Sequence, residues 1–465
     1  MRGLAADPPK LSTNGNRGRL RRRICCLRCR AYIGEVRTLL KLLTGAAIAA
    51  LTAAGANAAP TYIHAGRLIA VPGQAVRGPS TVVIDKGRIV SVQDGYVAPA
   101  EAGATVVDLK DKTVLPGLID SHVHLSSDRG GEQALLASVR DDHPLQAYEA
   151  QMNGMKTLRA GFTTVRNLGD DGTTLALREA VNRGWVQGPR IVDAAQSIST
   201  TGGHMDGRGS LNDEMVAHMP DPENLCDSVE SCRRVVRRQI DRGADVIKFA
   251  TTGGVNSGTG LATRMYEDEA KALVDTAHAY GRKVAVHAHG ADGIKLALRA
   301  GADSIEHGTV MDDEIVKLMK AKGTYYVPTL STVNGYLERL AKDPNAYTGA
   351  VKQQIEWRIG ITGQSLLKAY PAGVKIAYGT DAGVSKHGRN ADEFELLVKF
   401  GMPPVEALKA ATVNAAELLG LSSEVGSIEP GKSADLIAVA GDPLQDVTVL
   451  KKVDYVMVRG EPVVR

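Results

Sequence analysis

Short apolar segments with alternating polar positions occupy both ends of the chain. The stretch 81–95, TVVIDKGRIVSVQDG, is typical of two strands joined by a turn at 85–87. The segments 426–444 and 453–465 have the same character. Neither end holds enough strands to bury a core alone, so the pattern predicts that both ends meet in one small β-sandwich domain.

Between these ends, apolar strand-like segments alternate with amphipathic helical segments such as 267–281. Eight such units predict an α/β fold, a (β/α)8 TIM-like barrel. The alternative is an open doubly wound sheet, which is disfavoured because no GxGxxG motif follows the first strand. The eight predicted strand segments are 116–125, 161–170, 190–199, 245–254, 283–290, 303–309, 324–330 and 375–383.

The first 58 residues have the features of a targeting segment. Arg37 and Lys41 precede the apolar run 42–56, and the ANA sequence at 56–58 is a small-x-small cleavage signature. The run is short, and rich in Ala and Gly, for a membrane span. It predicts a bacterial secretory signal that is cut after Ala58, and a secreted or periplasmic protein with no stable membrane span afterwards. The alternative is a retained N-terminal anchor.

The same boundaries organise the whole chain of 465 residues, which is long enough for a barrel and a second domain. We expect an N-terminal extension and signal over 1–58, the β-sandwich in two parts over 59–115 and 421–465, and the barrel over 116–420. Although the whole chain has a formal charge of +4, residues 1–58 carry a net +9 and the remainder −5. A mildly acidic folded part gives no indication of a nucleic-acid partner.

Two of the five cysteines, Cys226 and Cys232, lie outside the predicted signal. In an oxidising compartment they are able to form a local disulfide, and the signal favours that interpretation. The alternative is two unpaired thiols in a cytosolic protein.

Ionisable residues recur at the C-terminal ends of the predicted strands, where barrel enzymes place their active sites. Singly, such a histidine is more often a structural hydrogen-bonding residue, the lysine a rim ion pair, and the aspartate a turn residue. Jointly they predict a metal site, because imidazole and carboxylate bind Zn²⁺ and similar ions. A buried neutral lysine is able to react with carbon dioxide to form a carbamate that bridges two metals. The residues are His122, His124, Lys248, His287, His289, His307 and Asp381.

Over residues 60–465 the chain resembles the metal-dependent amidohydrolase superfamily. The motifs that carry this resemblance are DSHVHL, VIKFATTGG, VAVHAHG, SIEHG, YGTDAG and PGKSADLIAV. Within the superfamily the chain is most similar to the secreted prolidase-like dipeptidase branch, which cleaves Xaa-Pro or Xaa-Arg/Lys dipeptides and includes ochratoxin-hydrolysing amidohydrolases. The motifs specific to this branch are TTVRNLGD, TGGH, ATTGGVNS and HAHGADGIKLALRAGADSIEHG.

The resemblance implies a binuclear centre with two divalent metal ions, zinc being expected. It implies that a metal-bridging hydroxide attacks the amide carbonyl, and that Asp381 passes the proton to the leaving nitrogen. His289 then acts as a supporting or substrate-contacting group, although the choice between His287 and His289 as ligand stays open. The implied ligands are His122, His124 and Asp381 for the first metal, carboxylated Lys248 as the bridge, and His287 and His307 for the second.

Candidate substrate contacts are less distinctive. His204, on the loop after the third barrel strand, and the hydroxyls of Tyr266 and Tyr326 are predicted to reach the substrate, while Arg208 and Arg264 are candidates for binding a substrate carboxylate. The alternatives are an exposed loop histidine, packing tyrosines and solvated arginines.

These features predict a secreted hydrolase that cleaves the amide bonds of dipeptides or N-acyl amino acids, with a small-molecule or dipeptide substrate and a homo-oligomeric state. The alternatives on the same metal site are a lactonase, a phosphotriesterase or a cyclic-amide hydrolase, which the fold and the ligands do not separate. A non-catalytic binding barrel is disfavoured because every predicted ligand is present. A mononuclear deaminase is disfavoured because its site does not need Lys248.

Overall fold

The chain alternates strands with helices between two groups of short strands at its ends. A computed structural model describes residues 59–129, 132–256 and 260–464, which belong to one compact unit, Ala59–Arg465. In the described residues the strands are β1 (Thr61–Leu68), β2 (Ser80–Asp85), β3 (Arg88–Asp94), β4 (Thr105–Pro116), β5 (Leu118–Val123), β6 (Phe162–Asn167), β7 (Arg190–Asp193), β8 (Val246–Ala250), β9 (Lys283–Ala288), β10 (Ser304–His307), β11 (Tyr325–Val327), β12 (Leu436–Val439), β13 (Val453–Val458) and β14 (Glu461–Pro462).

Most of the helices follow strands of the central part. They are α1 (Glu132–Arg140), α2 (His143–Arg159), α3 (Thr173–Asn182), α4 (Asp213–Ala217), α5 (Val229–Asp241), α6 (Glu267–Ala279), α7 (Ala291–Ala300), α8 (Asp313–Lys322), α9 (Thr332–Lys342), α10 (Gly349–Gly360), α11 (Gln364–Ala369), α12 (Asp392–Lys399), α13 (Pro404–Ala410) and α14 (Val413–Leu419). Short 3-10 helices span Gly207–Ser210 and Val447–Lys451.

The strands from both ends of the chain form a single seven-stranded sheet in the order β14-β13-β12-β4-β1-β2-β3. The two ends meet where β4 pairs in parallel with β1 and antiparallel with β12, with Leu115 opposite Ile437. Apolar side chains from both ends, among them Ile63, Val82 and Leu436, share one buried cluster. The two ends therefore depend on each other for a core, while a sandwich of two stacked sheets stays a prediction.

The central part contains two parallel sheets, one in the order β5-β6-β7 and one in the order β11-β10-β9-β8. Seven of the eight predicted barrel segments contain one of these strands, and the eighth, 375–383, makes only isolated bridges. Parallel bridges join Ile376 to Tyr326 of β11, Ala382 to Val123 of β5, and Ile198 to Phe249 of β8. The fold is mixed α/β. The bridges from β5 and β11 reach the eighth predicted segment, and the bridge from β8 reaches the segment that contains β7.

Helix α6 illustrates how the helices cover the parallel strands. Its buried residues include Ala270, Leu273, Val274 and Ala277, which recur at the spacing of one helix face. That face packs into the large core cluster together with strand residues such as Val284. Three acidic residues occupy its first turn, where they favour helix formation by complementing the helix dipole.

Cys226 and Cys232 form a disulfide, which confirms the pairing predicted from the sequence. Both residues are fully buried, and the Cys226 amide donates to the Ser199 carbonyl just after β7. The disulfide therefore fixes the end of the long loop between β7 and α5 that carries His204.

We expect the variant C226S/C232S to be less stable than the wild type. The bond closes a short loop, with a sequence separation of six residues, and loop-closure entropy for such a loop is about 2 kcal/mol. In a chain of this size that loss lowers Tm by a few degrees. Thermal melts with and without dithiothreitol test this, because the reductant should lower Tm of the wild type only. A wild-type Tm that is insensitive to dithiothreitol would contradict the prediction.

The predicted secretory signal, with its apolar run, lies outside the described residues. Among the residues that the structure does describe, no helix combines the length and the apolar character needed to cross a bilayer.

Candidate active site

One pocket at the C-terminal ends of the parallel strands collects the strand-end residues that the sequence singled out. Its volume is about 270 Å³, close to the lower limit of roughly 300 Å³ for small-molecule sites. The predicted residues that line it are His122, His124, His204, Lys248, His287, His289, His307 and Asp381.

Two groups of ligand-type side chains meet in this pocket and share one histidine. His122, His307 and Asp381 offer atoms that lie within 4.8 Å of one another. Oδ1 of Asp381 is 3.5 Å from Nε2 of His122 and 3.3 Å from Nε2 of His124. The second group consists of His287, His289 and His307, whose nitrogens also lie within 4.8 Å of one another. Imidazole and carboxylate in such clusters are the donors that zinc and related metals prefer.

Four of the five strand-end imidazoles are held through Nδ1, which leaves Nε2 of each for the pocket. Metal-binding histidines have this arrangement, because the outer partner fixes the tautomer and the ring orientation. The fifth, His287, instead has Nε2 3.2 Å from the Gly253 carbonyl and so leaves Nδ1. The four Nδ1 partners are the Glu306 carboxylate for His122 (2.8 Å), the Gly169 carbonyl for His124 (2.7 Å), the Thr309 hydroxyl for His289 (2.7 Å) and the Thr329 hydroxyl for His307 (2.7 Å).

A buried ion pair between Arg166 and Glu306 holds the His122 ring in place. Glu306 accepts from Nδ1 of His122 and from the Arg166 guanidinium at 2.8 Å. Burial raises the pKa of Glu306, but Arg166 and His122 outweigh it and hold the pKa at about 2. The ionised Glu306 therefore keeps the His122 proton on Nδ1. Sequence reasoning did not select Glu306 or Arg166, although both stand in the motifs SIEHG and TTVRNLGD.

Asp120, two residues before His122, attaches the eighth strand segment to β5. Its carboxylate accepts from the amide and hydroxyl of Thr380 and from the Asn390 side chain. The Asp381 amide also donates to the His122 carbonyl at 2.7 Å. These bonds hold Asp381 beside the β5 histidines, and sequence reasoning did not select Asp120.

Two of the predicted metal ligands have a strained backbone. His307 has φ +70 and Asp381 has φ +56, a region that costs a residue with a side chain roughly 1–3 kcal/mol. Such strain persists only where the surroundings enforce it, and it is concentrated at functional sites.

Lys248 is 1% exposed, and its Nζ has no hydrogen-bond partner among the described residues. Nε2 of His122 is also buried without such a bond. Burial lowers the pKa of Lys248 to about 8, although Glu306 and Asp381 oppose this change. An unpartnered buried amine is costly unless something satisfies it. These two atoms fit a site that takes up a metal and a modified lysine.

The protonation states of the buried histidines and of Asp381 also suit metal binding. Burial, and next the Lys248 charge, lowers the pKa of His122 to about 4, and burial lowers the pKa values of His287, His289 and His307 well below the usual range. Burial raises the pKa of Asp381, but the effect of His122 and His124 is larger and holds the pKa of Asp381 at about 2. At neutral pH the site thus offers neutral imidazoles and an ionised carboxylate, as metal ligands must be.

The predicted substrate contacts divide into two groups. His204 lies in the pocket and stacks on His287 with 4.2 Å between ring centroids. Neither Tyr266 nor Tyr326 lines it: Tyr266 is 78% exposed at the start of α6, and Tyr326 is buried in the core. Arg208 forms an ion pair with Asp206 outside the pocket.

The polar side chains that reach the pocket from helices include Tyr336 on α9 and Arg358 on α10. Sequence reasoning missed both, because neither follows a strand directly and no motif marks them.

Comparison with known proteins places these observations in a family. Residues 113–463 match the Amidohydrolase family. The chain is 32% identical over 418 residues to ochratoxinase of Aspergillus niger, covering 84% of this chain and 83% of that protein. The crystal structure of A. niger ochratoxinase superposes with a TM-score of 0.75, covering 87% of this chain and 96% of that one.

Solved dipeptidase structures are similar over comparable lengths. A Xaa-Pro dipeptidase with bound methionine in its active site is 40% identical, with a TM-score of 0.81, and covers 87% of this chain and 99% of its own. A prolidase in complex with N-methylphosphonate-L-proline is 31% identical, with a TM-score of 0.79, and covers 87% and 100%. The chain belongs to the metal-dependent amidohydrolase family, in its prolidase-like branch, and is a hydrolase of C–N bonds.

Proposed function

We propose that the protein is a binuclear metallohydrolase that cleaves the amide bonds of dipeptides or N-acyl amino acids. The observation that carries this proposal is the pair of ligand groups that share His307, with the unpartnered Lys248 amine acting electrostatically on both groups. A site for a single metal would not need a buried lysine at this position.

The proposed ligands are those that the sequence predicted. His122, His124 and Asp381 would hold one ion, and Lys248, once carboxylated, would be a ligand to this ion and to a second. His287 and His307 would hold the second ion, with His289 as the alternative to His287, since all three lie in one cluster. When bound, two divalent ions lower the pKa of a water molecule and polarise the scissile carbonyl. Zinc suits the imidazole-rich donor set.

The side chain of Asp381 is proposed to transfer the proton. Asp381 is ionised and lines the pocket, with Oδ1 3.3 Å from Nε2 of His124, so its carboxylate is proposed to accept a proton from the attacking water. The same carboxyl group gives that proton to the nitrogen as the C–N bond breaks, which returns Asp381 to its ionised form. His204 and His289 line the same pocket as Asp381 and are proposed to contact the substrate there.

The fold is proposed to be a closed (β/α)8 barrel. Strands β5–β11 supply seven members and the segment 375–383 the eighth, supported by the parallel bridges Tyr326–Ile376, Val123–Ala382 and Ile198–Phe249. In that arrangement all proposed ligands project from strand ends at one mouth, as barrel enzymes require.

The substrate class rests on the relatives and on the pocket. Ochratoxinase, the Xaa-Pro dipeptidase with bound methionine, and the prolidase with a proline phosphonate are all similar to this chain over most of its length. A pocket of about 270 Å³ suits a compact dipeptide or N-acyl amino acid better than an extended peptide.

Two observations support the proposed cellular location. The segment 1–58 has the features of a signal, and the Cys226–Cys232 disulfide suits an oxidising compartment. We therefore propose a secreted or periplasmic enzyme. Homo-oligomerisation stays a prediction from the resemblance.

A substrate screen tests the proposal. The mature chain, supplied with Zn²⁺, is assayed against dipeptides, N-acyl amino acids, lactones, phosphotriesters and cyclic amides. We expect measurable turnover of dipeptides or N-acyl amino acids, and loss of that turnover after chelation. Turnover confined to lactones, phosphotriesters or cyclic amides would keep the site and refute the substrate class.

A further inference from the structure

A cation without a carboxylate partner lies in the wall of the active-site pocket. Arg358 is 3% exposed, and no carboxylate oxygen of the described residues lies within ion-pair distance of its guanidinium. Burying a charge is costly unless it is paired, so such a cation usually has a function. Together with Lys248, Arg358 supplies the positive side chains among the described residues that line this pocket.

Two hydrogen bonds hold the arginine and leave donors free. Nη1 donates to the Thr362 hydroxyl at 3.0 Å, and Nη2 approaches the Thr329 carbonyl at 3.4 Å. A guanidinium has five N–H donors in a planar fork, so these two bonds leave donors for a ligand. Thr329 also bonds His307, which ties the position of Arg358 to a proposed metal ligand.

The arginine is close to the reacting end of the pocket. Burial, and next the Arg358 charge, lowers the pKa of His289. Burial raises the pKa of Tyr336, with Asp381 adding to this effect and Arg358 opposing it. Arg358, Tyr336 and Asp381 all line the same small pocket, so Arg358 shares that pocket with the proposed proton-transferring carboxylate.

From these observations we propose that Arg358 forms a carboxylate-binding subsite for the free C-terminal carboxylate of the substrate. This inference deepens the proposed function and rests on it. A fork of N–H donors binds a carboxylate with two parallel hydrogen bonds. Arg358 would thereby place the amide next to that carboxylate at the metal end and make the enzyme specific for the last amide bond of a chain. Arg208, already paired with Asp206, is not needed for this purpose.

The test compares two substrates that differ only in this charge, L-alanyl-L-methionine and its C-terminal carboxamide. The wild type should favour the free acid, and R358Q should lower kcat/KM for the acid by roughly 10²-fold or more while changing the carboxamide little. R358K keeps the charge without the fork of donors, so its kcat/KM for the free acid should lie between the values of the wild type and R358Q. R282Q, the same substitution outside this pocket, should change neither substrate.

An equal loss for both substrates in R358Q would show a structural role and overturn the inference. Binding gives a second readout that does not depend on turnover or on the folding of a variant. L-methionine should raise Tm of the metal-loaded wild type, whereas L-methioninamide should not; equal effects would overturn the inference. If the wild type cleaves neither substrate, the kinetic comparison is made with the best dipeptide of the screen and its carboxamide. Failure of the proposed function is then decided by the whole screen, whereas the binding comparison tests the carboxylate subsite separately.

Discussion

K248A should lose nearly all amide hydrolysis, with kcat/KM falling by roughly 10³-fold or more, because metal ions at such a centre supply several kcal/mol of transition-state stabilisation. Lys248 lines the pocket, is buried, and its amine has no hydrogen-bond partner among the described residues, so truncation to alanine removes the proposed bridge and leaves a small cavity. Steady-state kinetics on the best substrate of the screen measures the loss.

The proposed carbamate makes this prediction more specific. A short carboxylic acid such as propionate is able to enter the cavity left by K248A and supply the missing bridging oxygens, so it should restore part of the activity. K283A removes a half-buried lysine at the start of β9, outside the pocket, and should retain turnover. Wild-type activity in K248A would refute the bridging role.

D381N should be the second severe variant, with kcat falling by roughly 10²- to 10⁴-fold, the range that proton transfer by a positioned side chain contributes. The amide keeps the shape of the side chain but neither accepts the proton from water nor carries the charge that binds metal. Kinetics should show the loss, while Tm of the metal-free variant stays near that of the metal-free wild type, because the strained backbone at this position is fixed by the Asp120 and His122 contacts.

D275N is the matched control, since Asp275 pairs with Lys271 on an exposed face of α6. It should leave kcat unchanged. If D381N kept more than about a tenth of the wild-type kcat, a loss far below the range for proton transfer, Asp381 would not be the proton carrier.

The strand-end residues could be predicted because their positions follow from local rules. Side chains two apart on a strand share a face, and the ends of parallel strands meet at one edge of the sheet. His122, His124 and Asp381 therefore converge although 257 residues separate the last two in the sequence. The one uncertain choice, between His287 and His289, reflects the same rule, since both lie on one face.

The substrate contacts could not be predicted in this way. Tyr266 and Tyr326 are candidates only because they carry hydroxyl groups, and the structure leaves one exposed and packs the other in the core. Tyr336 and Arg358 come from helices α9 and α10, whose positions over the strand ends depend on tertiary packing. Periodicity in the sequence shows which face of a helix is apolar, but it does not show which helix residue lines a cavity.

Supporting residues were missed for a related reason. Glu306 and Asp120 stand beside predicted ligands, but their partners Arg166 and Asn390 lie 140 and 270 residues away. A single sequence shows that such groups are charged and lie next to the site. It does not show which of them are paired.

The most direct test of a binuclear centre is the metal content of the purified mature chain, measured by inductively coupled plasma mass spectrometry after removal of loosely bound ions. Two divalent ions per chain, falling to one or none in K248A, is the result expected if Lys248 bridges them. A wild-type chain that holds one ion or none while cleaving amides at full rate would contradict the binuclear centre proposed here.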